Sequence, residues 1–98
     1  LGPHLVHKNE IPDLTKVTLT SKINGELRQS GCVADLIFSV PHLIATISSG
    51  LTLEPGDMIL TGTPAGVGAG FNPPKFLKSG DLIELEINPI GRLINTVK

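Results

Sequence analysis

The residues best suited to chemistry lie in one glycine-rich loop that follows an apolar run. The run is Gly56-Asp57-Met58-Ile59-Leu60, and the loop continues as Thr61-Gly62-Thr63-Pro64-Ala65-Gly66-Val67-Gly68. Because glycine has no Cβ, the backbone N–H groups of such a loop can approach a ligand closely. The two threonine hydroxyls add side-chain donors and acceptors at the same place. This combination is typical of a site that binds a small anionic group.

Two better-known glycine loops do not fit this stretch. A phosphate loop would need Gly-Lys and then Ser or Thr before a helix, but Gly68-Ala69-Gly70 leads into Phe71-Asn72-Pro73-Pro74. A dinucleotide-binding fingerprint would need a helix after the glycines, and the two prolines prevent an early one. A flexible surface loop without a ligand is the alternative interpretation of the local pattern.

Carboxylate and histidine pairs elsewhere give weaker signals. Glu84 and Glu86 fall on one face of a predicted strand and could hold a hard cation such as Mg²⁺ through oxygen ligands. The solvated face of an amphipathic strand explains the same pair more simply. His4 and His7 could chelate a metal, but Pro3 argues against a helix that would bring them together.

Length, charge and cysteine content limit the class of protein. The chain has 98 residues, enough for one small domain, with eight basic and nine acidic residues and a net charge of −1. This balance offers no electrostatic footprint for nucleic acid or an anionic membrane, and no apolar run reaches the ~18–20 residues of a membrane span. The single cysteine, Cys32, excludes an internal disulfide, fits a reducing compartment and suits a small packing role. Because the sequence begins at Leu1, we expect a processed product or a fragment.

The first half of the chain predicts a hairpin and then a helix. Polar and apolar residues alternate over 16–23, and Asn24-Gly25 is a strong hairpin signal, so 26–29 should return as the partner strand. Ser39 can cap a helix that carries Pro41 in its first turn. Gly50 suits the left-handed residue just past the end of that helix. Its apolar face is formed by Val40, Leu43, Ile44, Ile47 and Leu51.

The second half of the chain contains two copies of one short sequence motif, here called the repeated phrase. Leu53-Glu54-Pro55-Gly56-Asp57 and Leu77-Lys78-Ser79-Gly80-Asp81 each precede an apolar run, so we predict two similar turns that feed strands. Asn88-Pro89-Ile90-Gly91 predicts a further turn before a last strand over 92–97. The predicted order is strand, strand, helix, strand, long loop, strand, strand, and the short connections favour antiparallel pairing.

These motifs, in this order, resemble the C-terminal part of the fumarylacetoacetate hydrolase family. The resemblance rests on Leu1-Gly2-Pro3, on the stretches 24–29 and 35–40, and above all on the signature over 53–68. It covers essentially the whole chain. It implies a mainly β (α+β) fold, a mixed β-roll of the fumarylacetoacetase C-terminal type with one short amphipathic helix. Residues 1–98 would then be the C-terminal part of one catalytic domain.

The resemblance also implies an activity and its cofactor. Enzymes of this family bind Mg²⁺ or Mn²⁺ and cleave, decarboxylate or tautomerise small 2-oxo or β-diketo acids such as acylpyruvates and oxaloacetate. Their metal ligands precede the Leu-Gly-Pro motif, so we expect the metal ligands and the catalytic residues upstream of residue 1. The expected partners are a small carboxylate substrate, the missing N-terminal segment and, in a homodimer, a second copy. The expected location is the cytoplasm or the mitochondrial matrix.

One binding role carries over residue by residue. The threonine before the signature proline, here Thr63, is expected to hydrogen-bond the carboxylate or oxo end of the substrate, with Gly62 and Pro64 as the supporting loop. Pro64 also biases Thr63 away from the α region. Glu84 and Glu86 follow the signature instead of preceding it, so they do not inherit the metal role. The competing hypothesis is a catalytically silent structural or interaction fragment, which the absence of metal ligands motivates.

Overall fold

The protein is built on one four-stranded antiparallel sheet with a single α-helix. The computed structural model describes all 98 residues, Leu1–Lys98. The strands are β1 (Thr18–Ile23), β2 (Glu26–Cys32), β3 (Leu82–Asn88) and β4 (Gly91–Thr96), in the order β2-β1-β3-β4. The helix is α1 (Val40–Gly50), and single 3-10 turns lie at Lys8–Glu10, Leu14–Lys16, Val33–Asp35 and Gly68–Gly70. The predicted mainly β fold with one helix is confirmed.

The Asn24-Gly25 hairpin fixes two strands at once. Both residues have positive φ angles, 51° and 81°, as the tight turn between β1 and β2 requires. The Asn24 side chain donates to Asp81 Oδ1 at 2.9 Å and accepts from the backbone N–H of Leu82, also at 2.9 Å. The turn therefore holds the start of β3 beside the end of β1, although 57 residues separate Asn24 from Asp81.

The repeated phrase forms the same turn twice, as predicted. The Asp57 carboxylate accepts from the backbone N–H of Glu54, and the Asp81 carboxylate accepts from that of Lys78, both at 2.8 Å. The glycine before each aspartate has a positive φ, 102° at Gly56 and 92° at Gly80. A shared sequence thus gives a shared local geometry, because every contact of the turn lies within four residues.

The strand predicted after Asp57 is absent. Only the second turn leads into a strand, while residues 57–61 join no ladder, so the structure has four strands where the pattern predicted five. Met58 and Leu60 in this segment are 65% and 90% exposed. A strand needs a neighbouring backbone to satisfy its N–H and C=O groups, and no segment of residues 1–98 runs alongside this one.

Helix α1 begins as predicted and ends differently. The Ser39 hydroxyl accepts from the backbone N–H of His42 at 3.3 Å, which caps the first turn. At the other end Gly50 is itself helical, and the next residue, Leu51, is extended while its N–H donates to Ile47 O at 3.2 Å. The prediction of a left-handed Gly50 is therefore wrong.

Very few residues of this chain are buried. Only Val17 and Ser21 are buried, with 3% and 6% of their surface exposed, and both lie in or next to the central strand β1. Ile44 on the apolar face of α1 keeps 43% of its surface exposed. No helix is both long enough and apolar enough to span a membrane.

Candidate ligand-binding loop

The glycine-rich loop lies against β2 and lines the larger of two neighbouring cavities. Thr61, Gly62, Thr63 and Pro64 form one wall of a cavity of about 500 Å³, here called the Thr63 cavity. The cavity is also lined by the end of β2, the segment after it and the start of α1: Cys32, Val33, Asp35, Leu36, Ile37, Phe38 and Leu43. The two threonines predicted to act together therefore line the same space.

Two glycines let the loop approach the strand closely. A Cβ added to Gly31 of β2 would lie 3.1 Å from Pro64 Cβ and 3.3 Å from Pro64 Cγ. A Cβ on Gly66 would lie 1.8 Å from the carbonyl oxygen of Arg28, and Gly66 has a φ of 107°. Only glycine meets both conditions at position 66, so the loop cannot lie against β2 with another residue there.

Hydrogen bonds from the sheet fix the position of the Thr63–Pro64 segment. Gln29 Nε2 donates to Thr63 Oγ1 at 2.6 Å and to the carbonyl oxygen of Pro64 at 2.9 Å. Gln29 Oε1 in turn accepts from the hydroxyl of Ser21 on β1 at 3.0 Å. Three side chains from two strands and the loop thus form one continuous chain of hydrogen bonds.

Sequence reasoning missed Gln29 and Ser21. One signal was available, because Ser21 is a polar residue at an inward position between the apolar Leu19 and Ile23 of the alternating strand. A buried hydroxyl needs a partner, so this position predicts a polar side chain opposite it. No feature of the sequence near Gln29 indicated that its side chain would bind Thr63.

A bulge in β2 directs two consecutive side chains toward the loop. Ser21 pairs with Gln29, but the next residue, Lys22, pairs with Leu27, so Arg28 has no partner on β1. Such a bulge breaks the alternation of side chains between the two faces of a sheet. Arg28 and Gln29 both line a second cavity of about 400 Å³, which Gly66, Val67 and Gly68 of the glycine loop also line.

Charged and aromatic side chains fasten the rest of the loop to β2. Glu26 pairs with Arg28 at 3.3 Å and with Lys75 at 2.8 Å, and both cations lie over the ring of Phe71, at 5.2 and 4.9 Å from its centroid. The hydrogen bond from Lys75, together with the Arg28 charge, lowers the pKa of the Glu26 carboxyl below its ordinary value. This cluster anchors the loop beyond Gly66 and leaves the Thr63 cavity open.

Backbone donors beside the Thr63 cavity have no backbone acceptor within residues 1–98. No backbone N–H of residues 61–66 donates to a backbone carbonyl, and Thr63 is exposed. Free N–H groups and a hydroxyl on a concave surface can bind the oxygen atoms of an anion. The geometry therefore suits the small acidic ligand that the sequence pattern predicts.

The other candidate residues have their own partners. Glu84 pairs with Arg92 across the β3–β4 hairpin and is half-buried, whereas Glu86 is exposed, so the solvated-face interpretation fits Glu86 alone. His4 Nε2 donates to the carbonyl oxygen of Ile90 at 2.6 Å. No group of three or more histidine, cysteine, aspartate or glutamate side chains lies close enough together to hold a metal ion.

Cys32 and His42 serve local structure. The Cys32 thiol is half-buried and donates to the carbonyl oxygen of Thr15 at 3.1 Å. The His42 ring stacks on Phe38 with 5.1 Å between the ring centroids. Neither side chain contacts the Thr63 hydroxyl.

Known proteins resemble this chain over its whole length. The model of the fumarylacetoacetate (FAA) hydrolase C-terminal family matches residues 1–98. Oxaloacetate tautomerase YisK of Bacillus subtilis is 57% identical over 97 residues, which are 99% of this chain and 32% of that protein. The chain spans about a third of the length of the curated relatives it matches.

Solved structures with the same fold include enzymes of this family. Fumarylacetoacetate hydrolase from Exiguobacterium antarcticum superposes with a TM-score of 0.86 and 46% identity over 91% of this chain and 32% of that one. Maleylpyruvate hydrolase from Sphingobium sp. SYK-6, in complex with manganese(II) and pyruvate, superposes with a TM-score of 0.88 and 35% identity over 98% of this chain and 34% of that one. The signature loop, the sheet and the whole-chain match lead to one conclusion: this chain belongs to the fumarylacetoacetate hydrolase family.

Proposed function

We propose that residues 1–98 are the C-terminal part of a catalytic domain that acts on small 2-oxo or β-diketo acids. The reaction would be hydrolysis of a C–C bond in acylpyruvates, or decarboxylation or enol–keto tautomerisation of oxaloacetate. The high identity to an oxaloacetate tautomerase supports this substrate class, as does the relative solved with pyruvate. The observation that carries the proposal is the Thr63 hydroxyl on an open cavity whose loop has free backbone donors.

In this proposal Thr63 binds the acid end of the substrate. Its hydroxyl and the backbone N–H groups beside it would donate to a carboxylate or oxo oxygen, and hydrogen bonds to charged acceptors are stronger than neutral ones. Gly62 leaves room for that oxygen, and Pro64 holds the loop against Gly31 of β2. Residues 1–98 would thus bind and orient the substrate.

The remaining parts of the active site would come from outside residues 1–98. We place the ligands of a divalent metal, Mg²⁺ or Mn²⁺, in an N-terminal segment, because these residues hold no suitable cluster and a relative is known as a manganese complex. The mature enzyme would be a homodimer. The relatives named above are bacterial, which favours the cytoplasm over the mitochondrial matrix as its location.

Thr63→Val in the full-length protein tests the proposal directly. Valine keeps the shape and the β-branching but removes the hydroxyl, so a charge-assisted hydrogen bond worth about 1.5–3 kcal/mol is lost. We expect kcat/KM for oxaloacetate tautomerisation or acetylpyruvate hydrolysis to fall about 10- to 150-fold. Metal affinity should change little. The melting temperature should fall only slightly, because Gln29 Nε2 loses the Thr63 oxygen as an acceptor but keeps the Pro64 carbonyl.

Thr61→Val is the matched control. Thr61 lines the same cavity, but no side chain of the sheet donates to its hydroxyl, so we expect a smaller loss. Equal kcat/KM for Thr63→Val and the parent, at saturating metal and sub-saturating substrate, would remove Thr63 from the site. A larger loss in Thr61→Val than in Thr63→Val would move the acid-binding position to Thr61.

A further inference from the structure

The chain of hydrogen bonds behind Thr63 has a definite direction. Gln29 Nε2 faces the carbonyl oxygen of Pro64, which can only accept, at 2.9 Å. The amide must therefore present its nitrogen to the loop and its oxygen to Ser21, whose hydroxyl donates at 3.0 Å. The opposite orientation of the amide would place two carbonyl oxygens against each other.

This direction determines what the Thr63 hydroxyl can do. Gln29 Nε2 uses one N–H on Pro64 and the other on Thr63 Oγ1, 2.6 Å away. An amide nitrogen accepts no hydrogen bond, so the Thr63 hydrogen must point away from Gln29. No atom within residues 1–98 accepts from that hydroxyl, and Thr63 lines the open cavity. The hydrogen is thus available to a ligand.

We propose that Gln29 is a positioning residue that directs the hydrogen of the Thr63 hydroxyl toward the Thr63 cavity. This inference rests on the proposed function and narrows it. The subsite favours a hydrogen-bond acceptor, such as a carboxylate or a carbonyl oxygen, over a donor such as an amine, because Gln29 already occupies one of the two lone pairs of Thr63 Oγ1. Because each bond polarises the next, the Ser21–Gln29–Thr63 chain also strengthens the final donor.

The β2 bulge and the burial of Ser21 hold this arrangement in place. The bulge directs Gln29 toward the loop, and Ser21, only 6% exposed, anchors the amide oxygen from the central strand. A side chain tethered at both ends of its amide loses little further freedom when a ligand binds. The site is therefore pre-organised by the sheet and not by the ligand.

Gln29→Glu in the full-length protein tests the direction of the hydrogen bonds that run from Ser21 through Gln29 to Thr63. The ionised carboxylate that this substitution introduces can only accept, so it would take the Thr63 hydrogen and oppose the Pro64 carbonyl. We expect kcat/KM to fall at least about 10-fold at neutral pH and the Kd of pyruvate, measured by calorimetry, to rise similarly. As the pH falls toward about 5, protonation returns one O–H donor at this position, and the loss relative to the parent should shrink.

Two further variants separate this pH effect from a structural one. Gln29→Met has similar volume but no polar atom, so it should lose about 3- to 10-fold in kcat/KM with no recovery at low pH. Glu86→Gln removes a carboxylate from the opposite face of the sheet and should behave like the parent across the pH range. A pH recovery shared by Gln29→Met and Gln29→Glu would overturn the assigned direction.

A double-variant cycle distinguishes failure of this inference from failure of the proposed function. If Gln29 acts through Thr63, Gln29→Glu adds little further loss when Thr63 is already valine. Parent-like activity of Thr63→Val would contradict the proposed function. The positioning role alone would be contradicted by either of two results. One is a reduced kcat/KM for Thr63→Val together with a parent-like kcat/KM for Gln29→Glu. The other is a double variant whose loss in kcat/KM equals the product of the two single losses. Should Gln29→Glu not fold, the same cycle with Ser21→Ala and Thr63→Val gives the decision, with an expected rise in KM of about 2- to 5-fold.

Discussion

At the scale of single residues, the candidate site depends on how closely one proline approaches one glycine. Gly31 of β2 lies under Pro64, and an added methyl group would come within 3.1 Å of the proline ring. The φ of Gly31 is not in the left-handed region, so alanine there would bring no backbone strain. Steric pressure on the loop is then the only new effect.

Gly31→Ala should therefore displace the Thr63 loop without unfolding the sheet. The loop must shift by a few tenths of an ångström or accept overpacking of about 1–3 kcal/mol. We expect a fall in kcat/KM that exceeds any change in melting temperature, measured on the full-length protein. Gly50→Ala is the control, because nothing lies within 4 Å of its added Cβ and alanine favours the helix. A Gly31→Ala enzyme with unchanged kcat/KM would show that the loop tolerates the shift.

At the scale of secondary-structure elements, turns determine which strands meet. The hydrogen bond between the Asn24 side chain and the Asp81 carboxylate connects the β1–β2 turn to the start of β3. This contact places β3 beside β1, on the side away from β2. The hydrogen bond from Asn24, followed by the one from the Lys78 N–H, lowers the pKa of Asp81 below its ordinary value. A carboxyl of this kind stabilises the fold in its ionised form.

This pKa shift predicts the sign of a pH effect on stability. Because the folded pKa lies below the unfolded one, the contribution is present above about pH 4 and is lost as the pH falls through the folded pKa. We expect the parent to unfold at a higher temperature than Asp81→Asn at about pH 6, and the gap to close toward about pH 3. Thermal unfolding of the full-length protein, followed by circular dichroism, measures this.

Asn24→Gly provides the check on the cause. Glycine accepts the positive φ of position 24 but has no amide to donate to Asp81, so the turn survives while the largest cause of the shift is lost. The gap between Asn24→Gly and the double variant with Asp81→Asn should then depend less on pH. An unchanged pH dependence would assign the shift to the Lys78 backbone instead.

At the scale of the whole molecule, residues 1–98 expose far more surface than a compact protein of this size. A folded monomer of 10.3 kDa exposes about 5400 Å², whereas this chain exposes 7575 Å², an excess of roughly 2200 Å². Its radius of gyration is 15.3 Å, against about 12.6 Å for a compact chain of 98 residues. The excess is comparable to a large, permanent protein–protein interface.

We therefore expect purified residues 1–98 to associate or to unfold without cooperativity. Ile37 at 92% exposure and Leu60 at 90% are the most prominent uncovered side chains within or beside the site. Addition of the N-terminal segment should give a cooperative transition, while the isolated residues should show no metal-dependent turnover of oxaloacetate or acetylpyruvate. Sedimentation and thermal unfolding measure the first point and a spectrophotometric assay the second. A monodisperse monomer with a sharp transition, or an active one, would contradict the proposed division of the active site.

The sequence by itself determined the features that depend on neighbouring residues. The Ser39 cap and the two aspartate turns are closed by hydrogen bonds between residues three apart, and the Asn24-Gly25 turn requires positive φ angles only at its own two residues, so their residue types are sufficient to predict them. The glycine loop was identifiable from its residue types, whereas the close approach to Arg28 that requires glycine at position 66 is a tertiary contact. The binding role of Thr63 stays a prediction, and the structure shows only that its hydroxyl lies on a cavity.

Tertiary structure decided the features that need a distant partner. The run 57–60 has the composition of a strand, but it is not one here because no neighbouring backbone pairs with it. The bulge that presents Gln29 exists only in the pairing of β1 with β2, and Gln29 meets Thr63 across 34 residues. A hydrogen bond between two strands, or between two side chains on distant segments, requires both segments to be in place. The sequence pattern of either segment alone therefore cannot predict it.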